Sequence, residues 1–251
     1  MVGSHPVVRS FDIGLFMERD AKVKRIGILL PSSNSVLEPL AVKTSVESNI
    51  SFHFSRLGVI DITLASNSIN QFTLAAQYDA GKLLCDANVD CVIWGGTSAS
   101  WLGLQHDIDF CTSFTQKTGV PAGTCVLEMN QIMASDRVKT YGLVTPYTSD
   151  VQYRIIENYK TLGFSCVSEQ HYGGILSNDY ASIPTEQTEK MVRLVAKKNP
   201  DVILIMCTNM LGATVAATLA PELGIPIMDS ATVAIQSGPV SYTHLTLPTK
   251  A

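Results

Sequence analysis

The sequence predicts an α/β protein made of two similar Rossmann-like parallel-sheet lobes, related by pseudo-twofold symmetry, with a site between them. Three observations predict it: the chain repeats itself, its strand-like segments are short continuous aliphatic runs, and helix-like segments alternate with them. The central match pairs Val89-Asp90-Cys91-Val92-Ile93-Trp94-Gly95-Gly96-Thr97-Ser98 with Pro200-Asp201-Val202-Ile203-Leu204-Ile205-Met206-Cys207-Thr208-Asn209. In both, an Asp opens an apolar run and a small-residue turn closes it. Asp90 to Gly96 and Asp201 to Cys207 are both six positions, so Gly96 stands where Cys207 stands in the other half.

The other elements repeat in the same order. Arg25-Ile26-Gly27-Ile28-Leu29-Leu30-Pro31 answers Thr140-Tyr141-Gly142-Leu143-Val144-Thr145-Pro146, with both the glycines and the prolines 115 positions apart. Gly119-Val120-Pro121 answers Gly224-Ile225-Pro226 at a shift of 105. Each half reads strand–turn–helix–strand–turn–helix–short strand. A self-similarity this long marks duplicated domains, because solenoid periods are much shorter. Runs such as Cys91–Trp94 and Val202–Met206 fit parallel strands buried on both faces. Gln71–Ala87, Gln187–Lys198 and Leu211–Ala220 read as the helices between them. In open parallel sheets ligands bind beyond the carboxyl ends of the strands. The turns after Leu30, Trp94, Val144 and Met206 all lie there, and lobes that face each other would line one cleft with them. The expected division is 24–136 plus about 225–238 for the first lobe and 137–224 for the second.

The ends stand apart from this pattern. Residues 1–23 precede the repeat and match nothing in it. From about Pro239 onward the chain resembles the conceptual translation of a transposase-type sequencing adapter. That tail, 239–251, reads as an artefact, His244 is excluded from any site, and the helix from near Thr232 is expected to be cut short.

Composition narrows the function. A net charge of −4 with scattered basic residues lacks the basic stripe that nucleic acid requires. No apolar run approaches the roughly 20 residues of a membrane span, and no secretory signal is visible, so the cytoplasm is the expected compartment. Six cysteines in such a chain read as free thiols. His53, His106 and His171 fit no metal-ligand spacing, and neither phosphate-loop nor dinucleotide motif is present. No metal and no cofactor are expected. A homo-oligomer is left open.

Cys207 is the candidate catalytic residue. It ends a buried strand before a helix-like segment, and free amides at a helix start can lower a thiol below its usual pKa of about 8.5. Cys85 and Cys91 read as core, Cys125 sits near a strand end, and Cys111 and Cys166 carry no motif. Gly96, Thr97 and Ser98 offer exposed amides and two hydroxyls, a set suited to an anion or oxyanion. Asn34 and Tyr147 sit in the matching first turns, where Asn34 and Thr148 could equally cap helices. Thr208 supplies an amide beside the thiol. The stretch from Tyr172 to Pro184 reads as a long loop that could cover the cleft or simply connect.

These residues together resemble the aspartate/glutamate racemase superfamily, most of all its maleate isomerase and arylmalonate decarboxylase branches. Arg25–Asn34 and Leu143–Tyr147 look like maleate isomerase. Gly96-Thr97-Ser98 followed by Ala99-Ser100-Trp101 looks like arylmalonate decarboxylase, and Cys207 falls where both carry their second-lobe cysteine. The resemblance spans Lys24 to Gln236. It implies that two-cysteine members work on both faces of a substrate, whereas here Gly96 replaces the first-lobe cysteine and one thiol remains. It implies a small carboxylate substrate bound by Asn34, Gly96, Thr97, Ser98, Tyr147 and Thr208.

The leading expectation is therefore a cofactor-independent decarboxylase of substituted malonate-type acids, in which Cys207 protonates an enediolate. A racemase or cis-trans isomerase of small dicarboxylates or amino acids is the alternative, and a two-lobed, non-catalytic carboxylate-binding protein a third reading. The place opposite Cys207 is expected to be empty of side chains, so Gly96→Cys should introduce some racemising activity while weakening decarboxylation.

Overall fold

The computed structural model describes residues 23–45 and 49–245, with side chains described as far as 237. The N-terminal extension and most of the adapter-like tail lie outside these residues. The first sheet contains β1 (Lys24–Pro31), β2 (Ile50–Leu57), β3 (Cys91–Trp94) and β4 (Ala122–Thr124) in the order β2-β1-β3-β4. The second contains β5 (Thr140–Thr145), β6 (Ser165–His171), β7 (Val202–Ile205) and β8 (Ile227–Asp229) in the order β6-β5-β7-β8. Every pairing is parallel. The helices are α1 (Leu37–Ser45), α2 (Ser66–Ile69), α3 (Leu74–Cys85), α4 (Ala99–Leu102), α5 (Leu104–Thr118) and α6 (Cys125–Ser135) in the first half. They are followed by α7 (Ser149–Thr161), α8 (Thr185–Ala196), α9 (Gly212–Leu223) and α10 (Ser230–Leu245).

The repeat has a physical basis at two of its paired positions. Asp90 and Asp201 open β3 and β7, and each carboxylate turns sideways to the neighbouring strand. Asp90 Oδ2 accepts from the Arg25 amide at 2.8 Å, and Asp201 Oδ2 accepts from the Lys139 and Thr140 amides at 2.8 Å. Both fix the register in which the central strands start. Gly27 and Gly142 let a helix lie close on the sheet. A Cβ at Gly27 would stand 3.1 Å from Leu84 of α3, and one at Gly142 3.1 Å from Val195 of α8.

Two expectations are corrected. Each half has four strands rather than three, because β2 and β6 are additional edge strands. The assignment of 225–238 to the first lobe fails at its start, since β8 pairs with β7 in the second sheet. Only α10 then crosses over to pack against α6, β3 and β4.

The strand order reverses at β1/β3 and at β5/β7. The carboxyl ends of these four strands meet between the lobes, and the core strands β3 and β7 that deliver the candidate residues are fully buried. Asp201 also carries a testable consequence. Its two amide donors hold its carboxyl below the usual carboxylate range. Its contribution is therefore complete above the unfolded-state pKa and lost as the pH falls through the lower folded value. Asp201→Ala should destabilise the protein by about 1 kcal/mol near neutral pH, since the group is exposed and screened. Urea midpoints of wild type and variant should converge below about pH 3.

Candidate active site

The four turns at the strand ends enclose one cavity between the lobes. Its wall includes Pro31, Gly96, Thr97, Ser98, Tyr147, Cys207 and Thr208, all from those turns. Six of the seven candidate residues thus meet there. The seventh, Asn34, stands behind the wall: its Nδ2 donates to Thr208 Oγ1 at 3.1 Å, and its Oδ1 accepts from the Val36 and Leu37 amides. Asn34 is therefore both the helix cap anticipated for it and a link between lobes.

Cys207 is 4% exposed. Burial pushes its thiol up to about 12, outweighing the Asn209 and Met210 amides and the Tyr147 hydroxyl, which pull the other way. The anticipated lowering by a helix start does not win, because α9 begins only at Gly212, five residues further on. The thiol is protonated at neutral pH. Asp229, whose carboxyl burial raises to about 6, reinforces this when ionised.

The polar partners are fixed across the lobe boundary. The Tyr147 and Thr97 hydroxyls are 2.7 Å apart, and burial holds the Tyr147 phenol well above its ordinary pKa. Thr208 Oγ1 donates to the Gly95 carbonyl at 2.7 Å. Ser98 is fully buried, and its Oγ accepts from Trp94 Nε1 at 3.1 Å. Val59, Ile62, Phe72 and Trp101 supply an apolar flank.

Sequence reading missed several wall residues. Asn209 accepts from the Ser35 amide and donates to the Ser33 and Ser177 carbonyls, closing the wall beside the thiol. Its place two residues after Cys207 was the available signal. Ser177 and Tyr180 come from the long loop after β6, which does cover the cleft. Its partner is the loop after β2, which the periodicity left unmarked. The Ile62 amide donates to the Ile175 carbonyl and the Ser177 amide to the Ile60 carbonyl, so one loop from each lobe pairs across the mouth. About 20 Å³ remains inside, roughly the space of one water.

One expectation about Gly96 is overturned. The place a side chain would take there is filled: an ideal Cβ would lie 2.2 Å from Trp94 Cζ2. Of the other candidates, Cys125 donates its S–H to the Gly96 carbonyl at 3.2 Å and lies outside the cavity wall. His106 binds the Phe72 carbonyl, His171 binds Glu169, and His53 binds Ser51; none lines the cavity. No helix among the described residues is long and apolar enough to cross a membrane.

The fold has counterparts among known proteins. Residues 26–238 match the family described as arylmalonate decarboxylase. The chain is 25% identical over 232 residues to a maleate isomerase of Nocardia farcinica, covering 86% of this chain and 88% of that protein. A solved structure of a cysteine-to-serine mutant of Nocardia farcinica maleate cis-trans isomerase, holding a covalently bound succinylcysteine intermediate, superposes with a TM-score of 0.78 at 19% identity. That match covers 88% of this chain and 93% of the other. A liganded arylmalonate decarboxylase, with one glycine changed to cysteine and one cysteine to serine, gives 0.76 at 17% identity over 87% and 92%. The chain belongs to the arylmalonate decarboxylase family, in the branch of the aspartate/glutamate racemase superfamily that also contains the maleate isomerases.

Proposed function

We propose that the protein is a cofactor-independent decarboxylase of α-substituted malonates and that Cys207 is its proton donor. The observation that carries this reading is a single thiol in the cavity wall, with a glycine and hydroxyl donors on the facing turn. One substrate carboxylate takes hydrogen bonds from Thr97, Ser98 and Tyr147 and from the amide of Thr208. The second lies against the apolar flank of Val59, Ile62, Phe72 and Trp101, where a carboxylate is poorly solvated and losing its charge as CO₂ is favoured. The Cα–carboxyl bond breaks, CO₂ departs, and the electron pair spreads into the remaining carboxylate as an enediolate. The same hydroxyls stabilise that developing charge, each such donor contributing about 3–4 kcal/mol in the transition state. The Cys207 proton moves to Cα from one face only. The thiolate then recovers a proton from water, so one proton is consumed per CO₂ released.

The protonated state of Cys207 fits this role, since a donor must hold its proton when the carbanion forms. The second reading is a cis-trans isomerase of a small dicarboxylate. The similarity to the Nocardia farcinica enzyme and the Pro31-Ser32-Ser33-Asn34 turn favour it. A nucleophilic route would require thiolate, which burial disfavours here. Turnover of maleate to fumarate, with no CO₂ from any malonate, selects this second reading.

Incubating the protein with phenylmalonate-type acids in D₂O should yield CO₂ and one deuterated enantiomer. Cys207→Ala should lower kcat by about 10²–10⁴-fold, the usual contribution of a general acid. A racemic deuterated product from wild type, or full activity in the alanine variant, contradicts the assignment. Tyr147→Phe should reduce kcat by about 10²-fold or more if its hydroxyl meets the enediolate; an effect on KM alone places it in ground-state binding. The acid form of Cys207 is the active one, so activity falls only as the pH rises through its pKa of about 12. The kcat–pH profile between about 7 and 10 should therefore show no thiol-dependent fall; a midpoint near 8.5 would show an unperturbed thiol.

A further inference from the structure

We propose that Trp94 is the specificity-determining residue that restricts this site to one thiol. Its indole occupies the volume a side chain at 96 would need, and its N–H aims the Ser98 hydroxyl into the cavity. The catalytic part of this inference rests on the decarboxylase reading; the steric part stands without it.

An ideal Cβ on Gly96 would stand 2.2, 2.6 and 2.9 Å from Cζ2, Cε2 and Cη2 of the Trp94 ring. Those are atoms of a rigid plane, and Trp94 is fully buried with Phe72 edge-on against it at 6.4 Å between ring centres. The backbone cannot yield readily either, because the Gly96 carbonyl accepts from Cys125 Sγ and the Gly95 carbonyl from Thr208. Even an alanine at 96 must therefore displace packed structure, which is costly in a well-filled interior.

The six-residue spacing that aligns Gly96 with Cys207 aligns Trp94 with Ile205. The first lobe ends its strand on a large ring before a bare turn; the second ends on a smaller side chain before a turn that carries a thiol. Gaining a second thiol in the first lobe therefore takes two substitutions, at 94 and at 96.

The indole also has a directional role. Trp94 Nε1 can only donate, so Ser98 Oγ spends a lone pair on it. The Ser98 proton is then free for an acceptor in the cavity that this residue lines. Trp94 is thus a positioning residue for one of the carboxylate donors.

The test is a double-mutant cycle with two readouts. Gly96→Ala and Gly96→Cys are made in wild type and in Trp94→Val, and thermal stability is measured alongside α-proton exchange of both product enantiomers in D₂O. Each Gly96 variant alone should lower Tm by about 4 °C or more. In the Trp94→Val background the same changes should cost clearly less, the coupling expected of residues in contact. Trp94→Val/Gly96→Cys should slowly exchange the α-proton of both enantiomers, with the small thiolate fraction of one cysteine removing it and the thiol on the opposite face returning one. Gly96→Cys alone should not. Additive stability losses, or a stable Gly96→Cys that already exchanges both enantiomers, overturn the proposal. Should the cysteine pair fail to fold, the alanine pair still decides the steric claim. Stability coupling in a wild type that decarboxylates no malonate would leave that claim intact while removing the proposed reaction.

Discussion

A single hydroxyl on Thr208 connects what the two halves must do together. It accepts from Asn34 and donates to the Gly95 carbonyl, so the turn after β7 is hydrogen-bonded to the turns after β1 and β3 at once. Each of these atoms is buried, and a buried polar atom left without a partner is costly. The relative placement of the turns is therefore narrowly defined. Because Thr208 is the residue after Cys207 and Gly95 the residue before Gly96, the same contact sets where the sulfur stands relative to the glycine turn. Asn209, bonded to Ser33, Ser35 and Ser177, repeats the device one residue later.

Burial then decides the chemistry available. A thiol at the end of an exposed strand, near a helix start, would tend toward the thiolate. Enclosed by Tyr147, Tyr180 and the apolar flank, it holds its proton. The phenol of Tyr147 is kept neutral by the same enclosure. The site thus presents hydroxyls, amides and a protonated sulfur, a set that can receive negative charge and quench it. Loops from the two lobes complete the enclosure, pairing across the mouth through the bridge between Asp61 and Leu176.

Much of this was legible in the chain because duplication writes each constraint twice. Asp90 and Asp201, Gly27 and Gly142, and the aliphatic runs of β3 and β7 appear in register for reasons the structure makes plain. The edge strands were harder to read. β2, with the sequence Ile50-Ser51-Phe52-His53-Phe54-Ser55-Arg56-Leu57, is mixed in polarity and incompletely buried, and β6 alternates with exposed Ser165 and Val167. A strand paired on one side only needs no continuous apolar run. Six of the seven site candidates share the cavity wall, since strand ends in parallel sheets converge by topology. What the sequence could not convey was side-chain direction. Trp94 read as one more apolar residue in a buried strand, and only its orientation reveals that it lies under Gly96. Val59, Ile62 and the loop around them reach the site through a connection without periodicity.

Asymmetry within the duplicated frame is the feature that gives the site its character. One turn carries sulfur; its counterpart carries nothing at Cα and a ring below. The most direct measurement is a crystal structure of Cys207→Ser with a bound α-substituted malonate. The α-carbon should lie between the residue 207 oxygen and the Gly96 turn, with one carboxylate on Thr97, Ser98 and Tyr147. A ligand bound elsewhere, or with its α-carbon turned away from residue 207, would contradict it.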